Sequence, residues 1–537
     1  MTKRSPWLVL EPEPPRTPAA ADQTAEPLLR IDQIQGHVLP GFARDFVAFT
    51  FFAIDDPDTF REFLAAVTPA VTTMAEVLAA QGMNAGRPAT AAPAWTALAF
   101  TATGLALLRG DTAGGLGFAD EAFVAGLHAR SRMGLLGDPR DTGREGDPDR
   151  WLFGRPGLSV HGLAIHAADD DETLAGAVSA WDAAAGGTSR VVFRQMSAHL
   201  PGDRHGQEHF GFLDDISQPG IRGEIRPDVP LTARENPHDR HQGKPGQDLV
   251  WPGEFVFGYP GQSAALPFHL PGDDPMESPA RAAPAWARDG SFLAVRRLRQ
   301  EVGGFHRFVR DNAEAAGVAP DFLASRLMGR WPSGCPTVIS PDRDRPEIGR
   351  DADARNAFEY RSDRFSAPEG AAGALPNDPD GLACPFSSHV RKAFPRNDRS
   401  RELAFLDRSW THTRRMVRRG IPYGPGSASR FDAPLDDGID RGLMFLCHVT
   451  SIRDQFEFVS KRMINDHNFS LAGQGYDPIV GQNDTLPNRF RAFKVPLGGS
   501  VRTLSTMMDW VIPTGGDYFF MPSLDCLKEL ARDRDGR

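Results

Sequence analysis

Cysteine is scarce in this chain: only four are present in 537 residues, Cys335, Cys384, Cys447 and Cys526, and no two form a Cys-x-x-Cys pair. That excludes a zinc knuckle and a dense disulfide framework, and predicts buried free thiols. Long apolar runs are missing as well. Trp7-Leu-Val-Leu10 is stopped by Glu11-Pro-Glu-Pro-Pro15, shorter than the roughly 7–15 apolar residues of a secretory leader. No later run approaches the roughly 20 a membrane span needs. The expectation is a cytoplasmic protein. Nor is there an excess of basic charge. Lys and Arg number 60 against 70 Asp and Glu, a formal net charge of -10, which argues against phosphate-backbone binding as a main activity.

What remains is ordinary globular material. Hydrophobic residues make up 40% and charged residues 24%, enough apolar matter for buried cores, and the length suggests two large domains. Residues 1–28 are rich in Pro, Ala and Glu and read as a flexible arm. The aromatic run Phe46-Val-Ala-Phe-Thr-Phe-Phe52 reads as a buried strand, 58–81 as helix, Ala94-Trp-Thr-Ala-Leu-Ala-Phe-Thr101 and His161-Gly-Leu-Ala-Ile-His166 as strands, 172–185 as helix and Arg190-Val-Val-Phe193 as strand. Strand, helix, strand, strand, helix, strand is the ferredoxin-like order. Residues 29–225 are therefore assigned to a first domain and 226–290, loaded with Pro, Gly and His, to a long connection. A second domain over 291–537 opens with Ser291-Phe-Leu-Ala-Val-Arg-Arg297 and a helix over 301–316. It includes the amphipathic stretch 455–464 and a polar insertion near 340–380.

Three segments carry chemistry. Cys384-Pro-Phe-Ser-Ser-His389-Val-Arg-Lys-Ala-Phe-Pro-Arg396 sets one histidine in a Pro-bounded, Arg-rich context. Gly211-Phe-Leu-Asp214-Asp-Ile-Ser-Gln-Pro219 sets an aspartate in a Gly-framed loop. Met416-Val-Arg418-Arg-Gly-Ile-Pro-Tyr423 sets an arginine pair before a Gly-Ile-Pro turn. Taken singly, each has a plainer reading: a core histidine, a solvated Asp-Asp turn, an arginine pair answering nearby carboxylates.

Together these segments resemble the dye-decolourising peroxidases, haem enzymes with an aspartate as the distal acid/base. The segment around His389 is similar to the family's C-P-F-x-A-H-I-R-K-x-N-P-R, that around Asp214 to G-F-x-D-G-I-S-Q-P, and that around Arg418 to L-R-R-G-x-P-Y-G. Further similar blocks occur in the family's order, among them Trp251-Pro-Gly-Glu-Phe-Val-Phe-Gly-Tyr259 and Gly515-Gly-Asp-Tyr-Phe-Phe520. The resemblance covers roughly residues 30 to 525 and is closest to the larger members. It implies two ferredoxin-like domains of the dimeric α+β barrel type with antiparallel sheets, the second holding one haem b. It implies His389 as the iron ligand, Asp214 as acid/base, Arg418 as the distal cation with Arg419 as its substitute, and Arg391 and Arg396 as partners of the haem propionates. Hydrogen peroxide and an aromatic reducing substrate, a bulky dye or phenol, follow from it; an oligomeric state does not.

Two departures stand out. Asp215 occupies a position where the family has Gly, and a second carboxylate there can raise the pKa of Asp214 or share its work. Aligning Cys447-His-Val-Thr-Ser451-Ile-Arg-Asp-Gln-Phe-Glu457 with the family block C-F-Q-A-D-I-E-R-Q-F-E puts Ser451 where the resemblance implies a carboxylate partner for the proximal histidine. Asp454 lies one helical turn away. With Ser451 there, the expectation is a raised ferric/ferrous potential and a sluggish peroxidase. Two rival readings are a haem storage, transport or iron-release protein with weak peroxidase activity, and a non-haem metal centre built from His205, His209 and Asp214. His412 and His448 are the alternative iron ligands.

Overall fold

The computed structural model describes residues 26–83, 93–140, 143–233, 243–244, 246–262, 277–278, 280–361, 375–398, 408–482 and 490–532. The flexible arm assigned to 1–28 lies almost wholly outside these residues, as does part of the 340–380 insertion.

Nine strands form one antiparallel sheet: β1 (Phe46–Ile54), β2 (Ala94–Phe100), β3 (Gly162–Ala168), β4 (Ser189–Ala198), β5 (Ser291–Gln300), β6 (Val417–Arg418), β7 (Ile421–Tyr423), β8 (Gly442–Val449) and β9 (Val511–Met521). The first four run in the order β4-β1-β3-β2 and the rest in the order β6-β8-β5-β9, with β7 also on β8. Both halves thus have the same ferredoxin-like arrangement, and they meet edge to edge where Phe520 of β9 pairs with Phe100 of β2. At the opposite end β7 lies against β4 without a shared ladder, so the sheet curls into a barrel.

Both faces of the central strands are buried, which explains their near-continuous apolar runs. Val47, Phe49 and Phe51 of β1 join Leu293 and Val295 of β5, Met444 and Leu446 of β8 and Phe519 of β9 in one interior cluster. The alternate residues Phe52, Leu98, Phe292, Cys447 and Phe520 pack outward under helices. The helices begin where the chain supplies caps. Asp56 accepts the amides of Asp58 and Thr59 ahead of α1 (Pro57–Val67), and Asp170 accepts Thr173 N ahead of α2 (Asp171–Ala185). Leu174, Val178, Trp181 and Ala185 form the buried stripe of α2. The single helix expected over 58–81 is instead α1, a 3₁₀ turn at Thr68–Ala70 and a second helix at Met74–Ala80, because Pro69 cannot continue the ladder. In the second half α3 (Val302–Ala316) follows β5 as expected.

The stretch read as an amphipathic helix over 455–464 is wider than an α-helix. Ile452–Glu457 and Val459–Ile464 wind as π-helix, a form concentrated at functional sites. Ser451 caps it by accepting Asp454 N, and the Ser451 hydroxyl donates to Asp120. Glu457 receives the buried Arg130 guanidinium and the Tyr518 hydroxyl, which locks the π-helix to the first half. All four cysteines are buried and free. No helix among the described residues is long and apolar enough to cross a membrane.

Candidate active site

A cavity of about 310 Å³ lies on the outer face of the second half's sheet. Leu298, Leu443 and Phe445 point into it from the strands, and Phe456, Val459 and Met463 from the π-helix. His389, Asp214, Arg418 and Arg396 all line it. Groups 175 residues apart in sequence (389 − 214) are thus brought to one space.

His389 opens a short helix, α4 (His389–Ala393). Its Nδ1 lies 2.8 Å from Oδ2 of Asp477, a carboxylate with no exposed side-chain surface. The other Asp477 oxygen accepts the amides of Ile479 and Val480 at 2.8 and 3.0 Å. Burial opposes charge on both groups, yet their mutual attraction wins: the His389 pKa is raised and that of Asp477 lowered. A carboxylate acceptor fixes the proton on Nδ1 and leaves the Nε2 lone pair available to a metal. Asp477 is the partner that the alignment assigned to Ser451 or Asp454. Those assignments fail because Ser451 spends its hydroxyl on the π-helix cap and Asp120, while Asp454 pairs with Arg453 and Arg281. The sequence around it, Tyr476-Asp477-Pro478, was not singled out.

The rest of α4 is clamped from behind. Lys392 Nζ donates to the carbonyls of Asp466, at 2.7 Å, and Phe469, and burial lowers its pKa to about 8. Arg391 is fully buried, bidentate on Asp398 at 2.6 and 2.8 Å, with further bonds to Asp378 and the Cys384 carbonyl. It does not line the cavity. A one-turn helix carries residues 389 and 391 on opposite sides, so the expected propionate contact is replaced by a structural one.

The Asp214 loop is shaped by Glu208. Its buried carboxylate accepts Phe210 N at 2.8 Å, Phe212 N at 2.9 Å and the Gln300 amide, and burial raises its pKa to about 7. Asp214 N donates to Gly206 O, and Asp214 Oδ1 accepts Asp215 N at 2.7 Å. Asp215 has φ +56°, the left-handed conformation that Gly supplies in the family. Gln218 exchanges bonds with the Arg418 main chain at 2.9 and 3.1 Å and also donates to Asp215 Oδ1. Both Nη atoms of Arg418 reach Ser217 O at 3.3 Å. Arg419 turns away: it is bound to the carbonyls of His37, Val38 and Arg418, and burial lowers its pKa to about 10.

Arg396 lines the cavity with its Nη1 on the carbonyls of Phe358, Gly246 and Asn356. Arg415, not singled out in the sequence, is better placed for an anion. It stacks 3.6 Å over Phe394, makes one 3.3 Å bond to Ser217 O, and leaves Nε buried without a partner. Burial lowers its pKa to about 9. Four arginines in the six residues from Arg414 to Arg419 were the available hint. The alternative histidines point elsewhere. His448 bonds His37 at 3.0 Å, and His412 pairs with Asp248. His205 faces Asp45 while His209 bonds the Tyr423 carbonyl, and no cluster able to hold a metal is formed among the described residues.

A DyP dimeric alpha+beta barrel domain is recognised over residues 33–199. A dye-decolorizing peroxidase of Mycena epipterygia is 31% identical over 525 residues, covering 94% of this chain and 87% of its own. The chain belongs to the dye-decolourising peroxidase family. Among solved structures, an ancestral D-type dye decolorizing peroxidase superposes with a TM-score of 0.73 at 31% identity, covering 94% of this chain and all of its own. A dye-decolorizing peroxidase in complex with 2,6-dimethoxyphenol gives 0.70 at 28%, with the same coverage of each chain. The protein is a peroxidase, and membership of the family implies a haem cofactor.

Proposed function

We propose that the cavity takes one haem b per chain through the Nε2 of His389, and that the enzyme reduces hydrogen peroxide there while oxidising dyes or phenols. The observation that carries this reading is the 2.8 Å tie between His389 and the buried Asp477, in a cavity that also contains Asp214 and Arg418. The residues fit the group. An imidazole nitrogen is free of protein partners among the described residues, and Phe394, Leu443, Phe445 and Met463 offer apolar walls. Arg415, with its orphaned Nε, suits a propionate, and Arg396 stands beside the same space.

Haem held there by His389 would supply the redox-active iron for peroxide reduction. Asp214 takes the proton from one peroxide oxygen and returns it to the other, which leaves as water. Arg418 exchanges its long bonds to Ser217 O for donation to the charge building on the departing oxygen, and its guanidinium does so without titrating. Asp477 keeps the Nδ1 proton in place and the ring basic. The 2,6-dimethoxyphenol bound to a relative supports a phenolic reducing substrate. His389→Ala tests the reading. The purified variant should lose its Soret band and retain little haem, and full haem content with an unchanged spectrum would overturn the assignment.

A further inference from the structure

Asp215, like Arg396, holds a positive φ in the cavity wall. Gly would adopt φ +56° without steric cost, whereas any residue with a Cβ is strained there, Asp and Asn least. Strain of this kind persists where the side chain it brings is used. Here the side chain is a second carboxylate, on a loop held from both ends by Glu208 and by the Gln218–Arg418 pairing. We propose that Asp215 is a second acid–base group of this cavity, serving peroxide reduction alongside Asp214. The proposal rests on the function assigned to Asp214 above.

Asp215 lines the cavity beside Asp214. Both are solvent-accessible at the cavity wall. Each carboxylate has one oxygen engaged within the loop, Asp214 Oδ1 by the Asp215 amide and Asp215 Oδ1 by Gln218, and each has a second oxygen without a partner among the described residues. The charges around Asp215 are Asp214 on its own loop, Arg418 at the end of β6 and Arg419 just after it; Gln218 is neutral. Burial outweighs the two guanidiniums, and with the help of Asp214 the Asp215 carboxyl is raised above its usual range. The two carboxylates are a neighbouring pair in the cavity wall. The proton that leaves one peroxide oxygen rests on either member and returns to the other oxygen, so the balance of the reaction is unchanged.

The test uses haem-loaded enzyme and two readouts, the pH dependence of the peroxide reaction rate and that of cyanide affinity, since hydrogen cyanide must also surrender a proton to bind. Asp215→Asn keeps the shape and the tolerance of left-handed backbone, and Asp215→Gly restores the family residue. Removing the neighbouring negative charge should move the acid limb of both profiles to lower pH, by roughly one unit. Asp214→Asn should keep cyanide affinity on the order of ten times that of Asp214→Asn/Asp215→Asn. Profiles of both Asp215 variants that superimpose on wild type, or a double variant indistinguishable from Asp214→Asn, would overturn the proposal. An Asp214→Asn enzyme with wild-type rates would instead overturn the function assigned to Asp214.

Discussion

On the His389 side of the cavity the polar atoms that fix the site are all engaged, whereas on the Asp214 side several are not. His389 is tied to Asp477, Asp477 to two amides, Arg391 to Asp398 and Asp378, and Lys392 to two carbonyls, and none of these side chains has a buried unpartnered atom. Across the same space the Arg418 guanidinium makes only 3.3 Å bonds, and Arg415 Nε and Gln300 Oε1 are buried without partners. A ligand that must stay is backed by groups already satisfied, so nothing competes for its proton or its orientation. Groups that must exchange hydrogen bonds during turnover are held by their main chain and keep their reactive ends free.

This contrast can be broken in graded ways. The largest effect is the loss of haem in His389→Ala. Next come Asp214→Asn and Arg418→Leu, which should keep haem near the wild-type level and slow the reaction with peroxide by about 10²–10⁴-fold, read by stopped-flow absorption. Arg391→Met should show the opposite pattern. It removes the buried guanidinium that Asp398 and Asp378 share, which costs about 3–5 kcal/mol, so the denaturation midpoint should fall while the residual folded enzyme reacts normally. A smaller effect is expected at Glu208. Its folded pKa of about 7 lies above the ordinary 4.5, so the protonated form favours the folded state. That contribution is complete below pH 4.5 and is lost as pH rises through 7. Glu208→Gln mimics the protonated acid, so the stability of wild type relative to it should decline by roughly 2–3 kcal/mol over that interval, measured by urea unfolding at each pH. A difference that does not vary with pH would refute the Glu208 assignment.

Much of this was legible in the sequence where the information is local. The ferredoxin-like order followed from short apolar runs alternating with capped helices, and His389, Asp214 and Arg418 were each framed by Gly, Pro or Arg within a dozen residues. What could not be read depends on direction or distance. Asp477 lies 88 residues beyond His389 in a segment that any turn would produce, and only folding brings it to the ring. The sequence shows Arg391 and Arg415 as equivalent positive charges; the turn of α4 sends Arg391 into Asp398, whereas Arg415, outside that helix, stacks over Phe394. The π-helix was hidden for a similar reason. Apolar spacing over 455–464 fits an α-helix, and the extra residue per turn appears only where Glu457 must reach Arg130 and Tyr518 while Phe456, Val459 and Met463 face the cavity.

With His389 proposed as the iron ligand, Asp477 and no residue of the 447–457 block should set its basicity. A redox titration of haem-loaded wild type, Asp477→Asn and Ser451→Asp tests it most directly. A carboxylate on Nδ1 favours the ferric state, so the ferric/ferrous potential should rise in Asp477→Asn and stay at the wild-type value in Ser451→Asp. An unchanged potential in Asp477→Asn, or a fall in Ser451→Asp, would contradict it.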